Sequence, residues 1–400
     1  MKVRKFRLDQ FLAYLMVARF SCVALANIPI FSMKYIFIYG VLFIALYVAN
    51  YKKLQHKEAC ALAALLLYTL FVVVKTSPSA GTIFNTQSFN AYVMVFLFFI
   101  YVYMKRIDII EIKKISRIAL VGYIFTYLYS IVMLIQNPAL SRQAAANIVV
   151  EDNVDTLNAV GGFDTVYGTI ILILLFIYLL KIAKDKKDVW LLRIGLISGI
   201  VFLVLASYGT AIIMLILLII IVLMRKNKIL CALVMGGSIT LYIQKRQLGN
   251  WIYLLANKIG FSDILKGKIQ DISMILITGK SAGTLSGDEG RLARIEWDIF
   301  TFTKYPILGG MGKDGAKIGA HSEIFDTLAR FGIVGFIFML IFFICFFKDG
   351  VQQMDTRIGK QCLGIAIFLY IIIALLDPAL YTQQILPFFV LVPFFDKIME

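Results

Sequence analysis

The sequence predicts an all-α polytopic membrane protein, one integral membrane domain over residues 1–400 with about twelve spans. Three observations predict it. Hydrophobic residues make up 60% of the chain and charged ones 16%, against about 25% charged in an average soluble domain, and the mean hydropathy is +0.86. Apolar runs of roughly 20 residues, enough for a helix to cross a bilayer core, recur between short clusters of charge or of Pro, Gly and Asn. The runs are continuous and do not alternate with polar residues, which favours helices over the strands of a barrel.

Taken in order, the spans are expected to start near Phe11, Tyr35, Ala59, Phe89, Ile118, Asp164, Val189, Gly209, Ile229, Ile324, Gln361 and Gln384. The opening "MKVRKFR" has the charge of a signal peptide, but the apolar run behind it is long and ends in no small-residue cleavage site. It reads as an uncleaved first span. Charge orients the rest. Alternate loops, beginning with the N-terminus and including those around Lys53, Lys114, Lys186, Arg225 and Arg357, hold 23 of the 40 Lys and Arg. The short loops of the other parity hold only Lys34, Lys75 and Arg142. By the positive-inside rule both termini are expected in the cytoplasm. The net charge of +16 is thus mainly a topology signal, and its dispersal over several loops argues against a nucleic-acid partner. Cys22, Cys60, Cys231, Cys345 and Cys362 sit in or at apolar helices without disulfide or metal spacing, which suits packing.

Two outer segments are too long to be connectors: residues 137–163 and residues 244–323. No internal repeat of the kind that marks many transporters is evident. Within the second segment, "SGDEGRLARIEWDIFTFTKYP" reads as a surface helix, capped by Ser286 or Asp288 and stopped by Pro306 with Gly309 and Gly310. Leu292, Ile295, Ile299 and Phe302 form an apolar stripe, beside a charged stripe of Arg291, Arg294 and Asp298. Two readings of the charged stripe stand: a solvated Arg294–Asp298 pair, or an arginine whose planar fork of donors grips a phosphate.

The chain has two histidines. His56 falls in the basic loop "YKKLQHKE" and reads as a solvated residue. His321 follows a run containing Gly309, Gly310, Gly312, Gly315 and Gly319, just before Ser322, which can cap the next helix. A histidine at a helix mouth is commonly structural; the glycines point instead to close approach of a ligand. Asp326 and Arg330, four apart, read as a structural pair.

The order Arg291, Pro306, Gly309 to Gly312, His321, Gly332 and Gly335 resembles the signature of the O-antigen ligase and polymerase superfamily. The motif covers residues 291–335, and the topology and late long loop extend the likeness over most of the chain. The resemblance implies a GT-C-like helical bundle in a bacterial cytoplasmic membrane, with its active site facing the periplasm or exterior. It further implies a polyprenyl-diphosphate-linked oligosaccharide as donor and as acceptor, diphosphate binding by Arg291 and catalysis by His321. Two positions depart from the family pattern. "LASYGTAII" lacks the arginine that often follows a serine at the outer end of a middle helix, and Ser322 stands where Asn is frequent. Arg142, Arg246 or Arg294 is expected to supply the missing phosphate ligand, and the divergence favours a Wzy-type repeat-unit polymerase over a ligase.

The chemistry implied is glycan extension where no nucleotide sugar is available: arginines stabilise the departing diphosphate and a histidine takes the acceptor's proton. No Cys or multi-His spacing suggests a metal, so a cofactor-free, metal-independent and inverting transfer is expected. Trp251, Tyr253, Trp297 and Tyr305 could flank sugars or anchor at the interface. Membrane lipid, a chain-length regulator and a flippase complete the expected partners. A ligase transferring the glycan to another acceptor and, from a different class, a flippase or exporter of lipid-linked oligosaccharide remain as alternatives, the last expected to show paired halves and several ionisable residues deep in the bundle.

Overall fold

A computed structural model describes residues 7–51, 54–138, 140, 159–206, 208–224, 244–258, 270, 273–274, 276–278 and 291–399, with the side chains of residues 291 and 292 outside that set. The described residues contain helices and no strand. In chain order the helices are α1 (Leu8–Ser21), α2 (Met33–Tyr51), α3 (His56–Ala80), α4 (Thr86–Met104) and α5 (Ile109–Gln136). There follow α6 (Phe163–Leu179), α7 (Lys186–Ala206), α8 (Gly209–Met224), α9 (Lys245–Lys258) and α10 (Arg291–Lys304). The last are α11 (Glu323–Gln352), α12 (Arg357–Leu376), α13 (Thr382–Val390) and α14 (Phe395–Ile398).

Among the described residues, seven helices are long and apolar enough to cross a membrane: α2, α3, α4, α5, α7, α11 and α12. The chain therefore has the make-up of a multi-pass membrane protein. The apolar helices α6 and α8 are shorter, at 17 and 16 residues, and α1 has 14. The span expected near Ile229 lies outside the described residues. The stretch expected to span from Gln384 is broken: α13 has nine residues with Pro387 inside it, and Pro393 stands in a 3₁₀ turn immediately beyond. Proline lacks the N–H and clashes with the preceding turn, so a long continuous helix does not form there.

Burial separates centre from periphery. Residues Val93 to Met104 of α4 and Thr165 to Phe176 of α6 are buried without a break, as befits helices apolar on every side. On α7, Ile194, Ile197, Val201 and Val204 are exposed at 3,4,3 spacing, a continuous apolar stripe suited to lipid. Helix α13, buried from Gln383 onward, packs against α1, α4, α5 and α6.

One end of the bundle gathers charge. Lys105 Nζ lies 2.7 Å from Glu58 and 2.6 Å from Asp349, and Arg106 lies 2.6 Å from Glu58. These groups come from the start of α3 and the ends of α4 and α11, so alternate helix ends meet there. Arg7 with Asp9 and Tyr51, and Arg117 with Asp188, belong to the same set of ends. The opposite end carries the clefts.

Candidate functional site

Helix α11 has a kink, and the kink builds the site. Gly332 sits at φ 65°, ψ −168°, and the helix bonds from Ile333 and Val334 back to Ala329 and Arg330 are replaced. The loop after α10 supplies new partners for all four groups. Gly310 N–H donates to the Ala329 carbonyl at 2.7 Å and Met311 N–H to the Arg330 carbonyl at 3.2 Å. In return, Ile333 N–H donates to the Pro306 carbonyl at 2.8 Å and Val334 N–H to the Ile307 carbonyl at 3.2 Å. Such approach needs bare glycine backbone: a Cβ on Gly309 would lie 2.2 Å from the Arg330 carbonyl oxygen, and one on Gly332 2.4 Å from that of Ile307.

Helix α10 docks on the same loop through polar side chains. Asp298 is 1% and Thr301 0% exposed, whereas Ile299 of the expected apolar stripe is 45% exposed. Thr301 Oγ1 donates to the Lys317 carbonyl at 2.6 Å and accepts the Lys317 N–H at 2.9 Å. Asp298 Oδ1 accepts the Gly319 N–H at 2.8 Å, and a Cβ on Gly319 would sit 2.4 Å from the Arg294 carbonyl oxygen. The charged stripe is thus not a uniformly solvated face. Asp298 is buried, and Asp326 and Arg330 act on its charge. Burial pushes its carboxyl above the usual carboxylate range, while the Gly319 N–H, Asp326 and Arg330 pull it down.

The first turn of α11 is pinned on all sides. Asp326 Oδ1 accepts the N–H of Ala320, which sits at φ 56°, and Arg330 stands 3.9 Å from Asp326, so the expected pair is present but long. Ser322 caps the helix, accepting the Phe325 N–H at 3.4 Å and donating to the Ala374 carbonyl at 3.1 Å. Glu323 Oε2 accepts the N–H groups of Ala379 and Leu380 at 3.0 and 3.1 Å, tying α11 to the turn before α13.

A cleft and a groove meet here, and a second cavity adjoins the cleft. A polar cleft of about 200 Å³ lies between α3, α4, the start of α11 and the turn before α13, with Glu323, Asp326, Arg330, Gln87, Asn90 and Tyr381 in its wall. An apolar groove of about 670 Å³ runs between α11 and α12 from Ile324 to Gln352 and shares Glu323 and Leu380 with the cleft. A second polar cavity, about 440 Å³, holds Arg19 and Asp164 and shares Thr86, Asn90 and Tyr381 with the cleft.

The residues expected from sequence are distributed unevenly around these spaces. His321 is half-buried on the turn between Ala320 and Ser322; Ala320 lines the cleft, and His321 itself does not. Arg291 is the first residue of α10, its side chain outside the described residues, as is Arg142 altogether. Arg294 is half-buried on α10, and Arg246 is exposed on α9. Trp297 lies under the Lys317 ammonium at 5.6 Å, and Tyr305 donates to the Asp314 carbonyl at 3.1 Å; neither lines the cleft or the cavities. Among the described residues no group of His, Cys, Asp and Glu has a metal-binding arrangement. Sequence reasoning does not single out Glu323, Asn90, Arg19 or Asp164 as site residues; charged residues at the ends of apolar spans are the signal that points to Arg19 and Asp164. No protein-family model matches the chain, and no curated protein matches it.

Proposed function

We propose that the protein is a glycosyltransferase, acting on the outer face of the cytoplasmic membrane, that polymerises polyprenyl-diphosphate-linked oligosaccharide repeat units into a surface polysaccharide, with a GT-C-like bundle of about twelve spans. The observation that carries the reading is the joining of a long apolar groove to a polar, charged cleft at Glu323 and Leu380. From Ile324 to Gln352 the groove follows about 42 Å of helix, at 1.5 Å per residue, enough to lay out a long isoprenoid tail. Its polar end opens toward Arg330 in the cleft wall, and the sequence resemblance adds Arg291 and Arg294 of α10 as candidate ligands of the diphosphate head. In the reaction an acceptor hydroxyl oxygen bonds to the anomeric carbon of the donor while the bond from that carbon to the diphosphate oxygen breaks. The hydroxyl proton passes to a base, for which His321 is the candidate, and the arginines hold the negative leaving group. Both termini face the cytoplasm in this reading, by the asymmetry of basic loops.

A second reading draws on the same groove, whose far end is lined by Lys57 and Lys348. A groove reaching from one bundle end to the other also suits a lipid translocator. The test is to reconstitute purified protein in liposomes with lipid-linked repeat units extracted from cells lacking the gene. A ladder of polymer that His321→Ala and Arg330→Gln abolish, with both variants monodisperse, is expected. Scrambling of the lipid across the bilayer with no polymer would replace the polymerase by the translocator; transfer to a different acceptor would replace it by a ligase.

A further inference from the structure

The second cavity contains two opposite charges that do not meet. Arg19, at the outer end of α1, gives its Nε–H to the Phe31 carbonyl at 3.0 Å, and among the described residues no carboxylate lies within 4.0 Å of it. Asp164, in the first turn of α6, faces the same space, with one carboxylate oxygen accepting the Thr165 N–H at 2.8 Å. Two facts of charge narrow the ligand. A bare anion would be attracted by Arg19 and repelled by Asp164, and a bare cation the reverse. An apolar chain would cover the remaining guanidinium N–H groups, the second carboxylate oxygen and the amide of Asn90 without bonding to them, which is costly. A neutral polyhydroxylated molecule suits both: hydroxyl hydrogens donate to Asp164 and hydroxyl or ring oxygens accept from Arg19. Phe20, Phe89 and Tyr381 add aromatic wall against which a sugar ring can lie. The volume, about 440 Å³, falls within the roughly 300–1,000 Å³ of small-molecule sites.

We propose that this cavity is a saccharide subsite in which Arg19 and Asp164 bracket an uncharged sugar. Because Thr86, Asn90 and Tyr381 belong to both walls, a sugar in it reaches the cleft containing Arg330 and Asp326. Resting on the polymerase reading, the subsite seats the acceptor glycan, whose terminal hydroxyl then faces the donor's anomeric carbon across Tyr381.

The test uses purified full-length protein in nanodiscs and, as probe, the free oligosaccharides released by mild acid from the cell's polyprenyl-linked pool, which carry neither diphosphate nor lipid. Saturation-transfer NMR and calorimetry should show binding by wild type, weakening of about tenfold or more in Asp164→Asn and Arg19→Gln, and a change below about twofold in Arg330→Gln. Asn90→Ala serves the same purpose if either charge variant fails to give monodisperse protein. Equal binding by all variants, or a loss in Arg330→Gln alone, would overturn the subsite. Wild-type protein that makes polymer but binds no free oligosaccharide would overturn it and leave the polymerase standing. Binding that depends on Asp164 in protein that makes no polymer would keep the subsite and remove the polymerase.

Discussion

Gly309 and Gly312 offer a controlled comparison, because they share a positive φ and differ in what surrounds them. Their φ angles are 72° and 73°. A Cβ on Gly312 meets nothing within 4 Å, whereas one on Gly309 would stand 2.2 Å from the Arg330 carbonyl oxygen. Alanine at either position incurs the left-handed backbone cost of about 1–2 kcal/mol. At Gly309 it must also push the loop off α11, which breaks the Gly310 and Met311 hydrogen bonds at about 1 kcal/mol each. Gly309→Ala should therefore cost about 3–4 kcal/mol and Gly312→Ala about 1–2. Unfolding in mixed detergent micelles, followed by tryptophan fluorescence, measures both, and Trp297 on α10 sits beside the element displaced. Equal losses for the two variants would mean that the loop and the kink do not hold each other, and the account of Gly332 would fall with it.

Three further outcomes follow from other parts of the structure. Lys105→Met leaves the carboxylate of Glu58, whose side chain is 0% exposed, with Arg106 and deprives Asp349 of its ammonium; a loss of about 3–5 kcal/mol in the same unfolding assay is expected. Asp298 has its carboxyl raised by burial, so its contribution to docking α10 is full at acid pH and declines as pH rises through its folded-state value. Hydrogen exchange in α10 should accelerate over that rise, and Asp298→Asn should flatten the dependence; a flat wild-type profile would refute it. In a cysteine-free background, single cysteines at Lys186 and Lys280 should differ in intact cells: a membrane-impermeant thiol reagent should label the second and spare the first, and the reverse would invert the topology.

The helical class, though not the count of spans, was legible because it rests on local information. Periodic apolar runs, the Ser322 cap and the stop at Pro306 need only neighbouring residues, and α10 and α11 begin or end where those signals stand. The kink at Gly332 was not legible, since the residue lies within an apolar run that reads as one helix. Its cause lies in the loop 20 to 30 residues earlier. The buried face of α10 was missed for a related reason. Periodicity ranks residues by apolarity, and it cannot see that Asp298 and Thr301 satisfy backbone groups of Gly319 and Lys317 when buried. The cleft and cavities draw on α1, α3, α4, α6, α11 and the turn before α13, an assembly that no single window of sequence contains.

The glycines around His321 answer to geometry before they answer to any ligand. Gly309 and Gly332 let two backbones touch, and Gly319 lets the loop touch α10. From Pro306 to Ser322 the loop is then fastened at both ends and between: to Ala329 and Arg330, to Thr301, to Asp298, to Asp326 through Ala320, and to Ala374 through Ser322. A misplacement of about 1 Å can cost about 100-fold in rate, so a group that moves a proton gains from being held on rigid neighbours and not on a free loop. His321 occupies the one turn where these fastenings converge, between the residue bound by Asp326 and the residue that caps α11. The same fastenings fix Arg330 on one wall of the cleft, so that in the proposed reaction the base and the cation that steadies the leaving group are placed by one set of backbone contacts. In the proposed reaction the glycine run would act through rigidity, and its substitution should lower polymer formation even where the substituted residue touches no substrate.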